Sequence, residues 1–198
     1  MNALKILLLL AGAYTLGSVS FAVLTSKLLR LKDPRDYGSG NPGATNVLRS
    51  GNKGAAALTL AGDCLKGALA VWGARWLGAP PDVAVWAGFA AFVGHLFPVF
   101  LRFKGGKGVA TALGVLIGAD WRLACSCGLI WLVVAFVTRY SSAAAITAGV
   151  FCPLLAWFFW GAHSGVIALT LMALLLLWRH TANIKRLAAG TESRIGAK

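Results

Sequence analysis

Long apolar blocks, separated by short polar, basic or glycine-punctuated breaks, run the length of this 198-residue chain. About 20 apolar residues cross the roughly 30 Å hydrocarbon core of a bilayer as a helix. On that scale the blocks at 4–25, 54–76, 83–101, 123–137, 143–160 and 164–178 each predict a spanning helix. The run 109–119 is short, because at about 1.5 Å per residue it rises only about 16 Å. It either re-enters the membrane or crosses a thinned bilayer with its helix starting in the preceding glycine loop. The first block follows Lys5 and has the look of a signal peptide, but it is long enough to span. No small-residue cleavage site precedes the basic loop, so a retained helix is expected. Neither an internal repeat nor a second domain is visible, so residues 1–198 are read as one domain.

Composition agrees with this pattern. The chain is 58% hydrophobic and 13% charged, with a mean hydropathy of +0.74, whereas a soluble domain is nearer half apolar and a quarter charged. Lys and Arg number 19 against 6 Asp and Glu. In a membrane protein that excess marks cytoplasmic loops, anionic headgroups or anionic substrates. With neither a zinc finger nor an RNA-binding motif present, no nucleic-acid partner is expected. The cysteines at 64, 125, 127 and 152 lie inside apolar blocks, where thiols behave as small hydrophobes. Cys125 and Cys127 lack the second pair of ligands a zinc site needs, so neither disulfides nor a metal site is expected.

Charge also arbitrates the short run. If 109–119 crosses, all of the 19 basic residues except Lys5, Lys66, Arg75 and Arg122 share one face. If it does not, the basic tail moves to the opposite face. The positive-inside rule therefore favours an all-α integral membrane protein of seven transmembrane helices, one of them short, with the N-terminus outside and the C-terminus cytoplasmic.

Three polar stretches could then carry chemistry on that cytoplasmic face. The first is Gly38-Ser39-Gly40-Asn41-Pro42-Gly43-Ala44-Thr45-Asn46-Val47-Leu48-Arg49. Its glycines let successive N–H groups turn toward an anion, and Arg49 adds a planar cationic fork suited to phosphate. Read alone it is equally a flexible linker. The second, Lys104-Gly105-Gly106-Lys107-Gly108, directly precedes an apparent helix, whose start exposes N–H groups to an anion. It is not a nucleotide P-loop, because Gly108 stands where a Ser or Thr would bind magnesium and position 101 is Leu. The third is Trp178-Arg179-His180-Thr181-Ala182-Asn183, where His180 and Asn183 share a face if the helix continues. A basic interhelical loop and an interfacial anchor are the bland readings of these two.

Inside the spans, Asp63 and Lys66 are three apart and read as a structural ion pair, with substrate organisation as the lesser reading. His95, in Gly94-His95-Leu96-Phe97-Pro98, reads as a hydrogen-bonded helix-end histidine. There is no Gly-x-Ser-x-Gly elbow and no His-x4-Asp pattern of acyl-CoA-using acyltransferases, which leaves anion cradles, cations, amides and one histidine.

Taken together, Gly-Ser-Gly-Asn-x-Gly-Ala-Thr-Asn at 38–46 with Arg49, Lys-Gly-Gly-Lys-Gly-Val-Ala-Thr at 104–111 and His-x-x-Asn at 180–183 resemble the bacterial acyl-phosphate-dependent glycerol-3-phosphate acyltransferases. Spacing and hydropathy agree along essentially the whole chain, and Asp63-x-x-Lys66-Gly67 and Gly94-His95-x-x-Pro98 also look like that family. The resemblance implies transfer of a fatty acyl group from acyl phosphate to the sn-1 hydroxyl of glycerol 3-phosphate. The products are lysophosphatidic acid and phosphate, in the first step of phospholipid synthesis. It implies an inner-membrane enzyme with a cytoplasm-facing site, no cofactor, no covalent acyl-enzyme, and membrane lipid as surroundings. It leaves room for contact with the enzyme that produces the acyl phosphate. By motif position, Ser39, Arg49, Lys107, His180 and Asn183 are the expected catalytic residues and bind glycerol phosphate. Gly40, Asn41, Gly43, Thr45, Asn46, Lys104, Gly105, Gly106, Gly108 and Thr111 are expected to line the substrates, with the acyl-phosphate head on 105–108. Pro42 is expected to be tolerated while stiffening its loop. Two other classes compete: a small membrane transporter of an organic phosphate, and a basic scaffold for anionic lipid.

Overall fold

The computed structural model describes residues 1–196 and is helical, with no strand among the described residues. Its contacts fall into two compact units, Met1–Ala119 and Asp120–Lys198.

The first unit holds α1 (Ala3–Gly17), α2 (Phe21–Leu28), α3 (Ala44–Leu48), α4 (Lys53–Trp76), α5 (Pro81–Leu96), a 3-10 turn (Val99–Leu101) and α6 (Val109–Ala119). Local chemistry sets the ends. Asn2 and Asn52 accept N–H bonds from Lys5 and Ala55 at 3.0 and 2.9 Å, each supplying an acceptor that a helix start lacks. Pro81 sits in the first turn of α5, where its missing N–H costs nothing.

The apolar block 4–25 was expected to be one helix. Instead α1 and α2 meet at a 43° bend. Ser18 donates its hydroxyl back to the Tyr14 carbonyl at 2.9 Å, and Ser20 then caps α2. Hydroxyls that bond the preceding turn loosen a helix without interrupting its apolar pattern.

Helices α4 and α6 touch backbone to backbone. A side chain at Gly67 would strike the Thr111 carbonyl, and one at Gly114 would strike the Cys64 carbonyl. Small residues permit this approach, which drives helix association where lipid removes the hydrophobic incentive. Accordingly most buried apolar residues of the unit are alanines, while Leu58, Leu60, Leu65 and Trp76 face outward.

The second unit holds α7 (Trp121–Thr138), α8 (Ser141–Trp160), α9 (Ser164–Arg179) and α10 (Thr181–Ala188). Asp120 caps α7 through the Arg122 N–H at 2.9 Å and accepts the Trp160 indole N–H at 2.9 Å, tying the start of α7 to the end of α8. Phe136 and Val137 are 88% and 73% exposed, as a face meeting acyl chains requires. The last span was expected to end near 178, with His180 and Asn183 on one face if its helix continued. It breaks at His180, and α10 leaves α9 at 56°. His180 and Asn183 therefore do not ride one straight helix.

Among the described residues, four helices are each long and apolar enough to cross a membrane, α5 counting together with the 3-10 turn as Pro81–Leu101, or up to six if each bent pair is one span. Helix α6, at 11 residues, falls short of that length.

Candidate active site

In the first unit the loop 38–49 is folded around Asn46. Expected among the substrate ligands, this residue is buried and spends both ends of its amide inside the loop. Its Oδ1 accepts the Ser39 N–H at 2.9 Å, and its Nδ2 donates to the Pro34 and Tyr37 carbonyls at 2.6 and 3.1 Å. Arg49 reaches the same Oδ1 at 3.4 Å, a long bond that leaves most of its fork available. Gly38 and Gly40 adopt left-handed φ of 59° and 65°, which lets the chain turn back so that Ser39, Gly40, Thr45 and Arg49 lie at the surface. Asn41 and Gly43 are half-buried, and Pro42 is buried.

The loop 104–108 is seated on the end of α5. The Gly105 N–H donates to the Leu96 carbonyl at 3.2 Å and the Gly106 N–H to the His95 carbonyl at 3.1 Å. These two N–H groups, expected to cradle an anion, anchor the loop instead. The N–H groups in the first turn of α6, which follows directly on this loop, have no acceptors within their own helix. Gly106 is squeezed between the His95 ring and the Pro42 carbonyl, and no Cβ fits there. The two loops thus meet at Pro42 and Gly106, which brings the Ser39–Arg49 and Lys104–Lys107 stretches together. Lys107 is half-buried and Lys104 exposed. Thr111, in the first turn of α6, is fully buried, its carbonyl packed on Gly67 and its hydroxyl without a hydrogen-bond partner.

Beneath this junction lies the expected ion pair. Lys66 Nζ is 2.8 Å from Asp63 Oδ1, 2.6 Å from the Val19 carbonyl and 2.9 Å from His95 Nδ1.

In the second unit His180 occupies the break between α9 and α10, buried, with Nδ1 2.8 Å from the Leu176 carbonyl. A carbonyl only accepts, so Nδ1 carries a proton, and in the neutral ring Nε2 is the unprotonated nitrogen. Asn183, on the first turn of α10, donates from Nδ2 to Glu192 Oε1 at 2.5 Å. The Ser142 hydroxyl donates to the same oxygen at 2.7 Å, and Arg186 Nε donates to Oε2 at 2.6 Å. Burial pushes the Glu192 carboxyl up, but the Ser142, Asn183 and Arg186 donors outweigh it and hold it below the ordinary value. Glu192 and Ser142 were missed in the sequence. The available signal was Glu192 as the lone acid of a basic tail, nine residues past Asn183.

No group of three or more His, Cys, Asp or Glu able to hold a metal exists among the described residues.

Apolar outward faces, glycine-mediated helix contacts and polar loops at helix ends define an all-helical integral membrane protein. A family model described as glycerol-3-phosphate acyltransferase matches residues 7–190, and the chain belongs to that family. The glycerol-3-phosphate acyltransferase of Aromatoleum aromaticum is 60% identical over 194 residues, covering 98% of both chains. That of Burkholderia vietnamiensis is 56% identical over 197 residues, covering 98% of this chain and 93% of its own. Among solved structures, PlsY, an integral membrane glycerol 3-phosphate acyltransferase, superposes in its glycerol 3-phosphate form with a TM-score of 0.90. It is 38% identical, with 97% of this chain and 96% of that one covered. Its lysophosphatidic acid form gives a TM-score of 0.88 at 37% identity.

Proposed function

We propose that this chain transfers a fatty acyl group from acyl phosphate to the sn-1 hydroxyl of glycerol 3-phosphate, releasing lysophosphatidic acid and phosphate. Membership of the family and relatives at 55–60% identity support glycerol 3-phosphate as acceptor, and the lysophosphatidic acid form of PlsY supports that product. Acyl phosphate as donor follows from the acyl-phosphate-dependent motif set at 38–49, 104–111 and 180–183. The observation that supports the reading is the meeting of the two loops at Pro42 and Gly106, which joins the stretch carrying Arg49 to the stretch carrying Lys107.

An acyl phosphate is already activated, so no acyl-enzyme is needed. The glycerol hydroxyl oxygen attacks the acyl carbon, the C–O bond to phosphate breaks, and phosphate leaves with the electron pair. The protein's task is to hold two anions together and offset their repulsion. Orientation of that kind supplies several kcal/mol of a barrier, and Arg49, Lys107 and the N–H groups opening α6 stabilise the charge that develops. Ser39, His180 and Asn183 are assigned to the glycerol phosphate by their motif positions. The hydroxyl proton goes to His180 Nε2 or to a substrate phosphate. His180→Gln separates the two: an unchanged pH–rate profile with weaker glycerol phosphate binding excludes His180 as base.

The surroundings belong to the same reading: one inner-membrane domain over 1–198, with seven spans, the N-terminus outside and the loops facing the cytoplasm. It is supported by the one-sided distribution of Lys and Arg. The decisive experiment gives purified protein acyl phosphates of several chain lengths with glycerol 3-phosphate. Phosphate release matched by lysophosphatidate is expected, and absence of both at every chain length would sink the proposal.

A further inference from the structure

Asp63, Lys66 and His95 form a cluster of ionisable groups that the reaction above does not use. Their side chains are 2%, 1% and 4% exposed, so the charges are fully withdrawn from solvent. Burying an ion pair is costly and is often no better than apolar packing, so such a pair is weak evidence of stability alone. What it specifies here is legible in its geometry. The Lys66 ammonium has three protons and three acceptors around it: Asp63 Oδ1 on its own helix, the Val19 carbonyl at the α1–α2 break, and His95 Nδ1 at the end of α5. Asp63 Oδ1 also lies 3.5 Å from His95 Nδ1. The Lys66 ammonium at 2.9 Å is nearer and only donates, so with Lys66 charged Nδ1 accepts and the ring proton lies on Nε2. That edge of the ring faces Gly106, where any side chain would collide with Nε2 and Cε1. The His95 carbonyl holds the same residue through the Gly106 N–H at 3.1 Å.

We propose that Asp63, Lys66 and His95 are positioning residues, a buried network that fixes the His95 tautomer and sets the Gly105–Gly106 segment against Pro42. In doing so it governs how a phosphate is held at Lys107. The inference rests on the acyltransferase reading, and it concerns whichever phosphate, that of the ester or of the acyl donor, seats on this loop. Lys66 and Asp63 act through His95, and His95 acts through the glycine backbone. A simple helix staple would need neither the ring edge at Gly106 nor a defined tautomer.

The test compares His95→Leu with His95→Gln in purified protein, with melting temperature and the KM for each phosphate substrate as readouts. Gln keeps an N–H donor near the Nε2 position and Leu does not. His95→Leu is expected to raise the KM for one substrate by about tenfold, as the displaced glycine segment loosens the phosphate at Lys107, and the other KM by less than about threefold. Gly106→Ala should raise the same KM, and His95→Gln should restore most of the loss. Lys66→Met should reproduce the His95→Leu shift, and the double variant should not add to it. Equal kinetics for Leu and Gln, or both KM values moving together with the melting temperature, would make the network a staple and overturn the proposal. If His95→Leu does not accumulate, Lys66→Met supplies the same comparison. Failure of both to accumulate would make the network a folding determinant only and equally overturn it. A parent protein that makes no lysophosphatidate would sink the acyltransferase reading, whereas an active parent with kinetically silent variants sinks this inference alone.

Discussion

Replacing Glu192 with alanine removes the acceptor on which Ser142, Asn183 and Arg186 converge at 2.7, 2.5 and 2.6 Å. Hydrogen bonds to a charged group contribute about 1.5–3 kcal/mol each. The Arg186 side chain is 41% exposed, so solvent screens its pair to at most about 1 kcal/mol. Taking the lower figure for the other two gives a loss of about 3–4 kcal/mol. For a chain of this length each kcal/mol moves the melting temperature by about 2–4 °C, so a drop of roughly 6–16 °C is expected. Glu192→Gln keeps an amide oxygen for Ser142 and Asn183 but turns an N–H toward Arg186, and should lose about half as much. Because the Glu192 carboxyl titrates below its ordinary value, the unfolded chain binds its proton first as pH falls. Its contribution is complete above about pH 4.5 and is lost as pH drops through the lower folded value. The assay is thermal unfolding in detergent from pH 3 to 7 for parent, Gln and Ala. An alanine variant melting within about 1 °C of the parent at pH 7 would refute the reasoning.

Gly114→Ala should abolish folded protein in detergent extracts, because its Cβ meets the Cys64 carbonyl, whereas Gly73→Ala, with open space around it, should extract at the parental level. Size-exclusion chromatography reads both. Arg49→Lys keeps the charge but loses the planar fork, so the KM for a phosphate substrate should rise about tenfold with the melting temperature unchanged; an unchanged KM would remove Arg49 from the site. Asp120→Asn should lower the melting temperature by a few degrees, because the Arg122 and Trp160 bonds at 2.7 and 2.9 Å both lose their charged acceptor.

The helices were legible because lipid imposes a coarse rule, and runs such as 54–76 and 109–119 reappear almost unchanged as α4 and α6. The breaks at Ser18–Ser20 and His180 were not. The first does not interrupt hydropathy, the second falls just past the apolar block 164–178, and each depends on where one hydroxyl or imidazole finds a carbonyl. The loops were recognisable by composition, and the Asp63–Lys66 pair by spacing. How Asn46 and the Gly105 and Gly106 N–H groups are used was hidden, because a group that can bind an anion can equally bind its own backbone. Glu192 escaped notice for a related reason: its partners Ser142, Asn183 and Arg186 come from three separate stretches of chain.

The contact between Lys66 and the Val19 carbonyl also bears on how the chain enters the bilayer. A lone lysine at the centre of an inserting helix costs about 2.5–3.5 kcal/mol. Here Asp63 travels on the same helix, one turn away, so α4 partitions with its two charges already cancelling. The Val19 carbonyl comes from a segment synthesised earlier and meets the ammonium once α4 arrives. Insertion in the order of synthesis would thus bring the bend between α1 and α2 a donor for its Val19 carbonyl as α4 arrives.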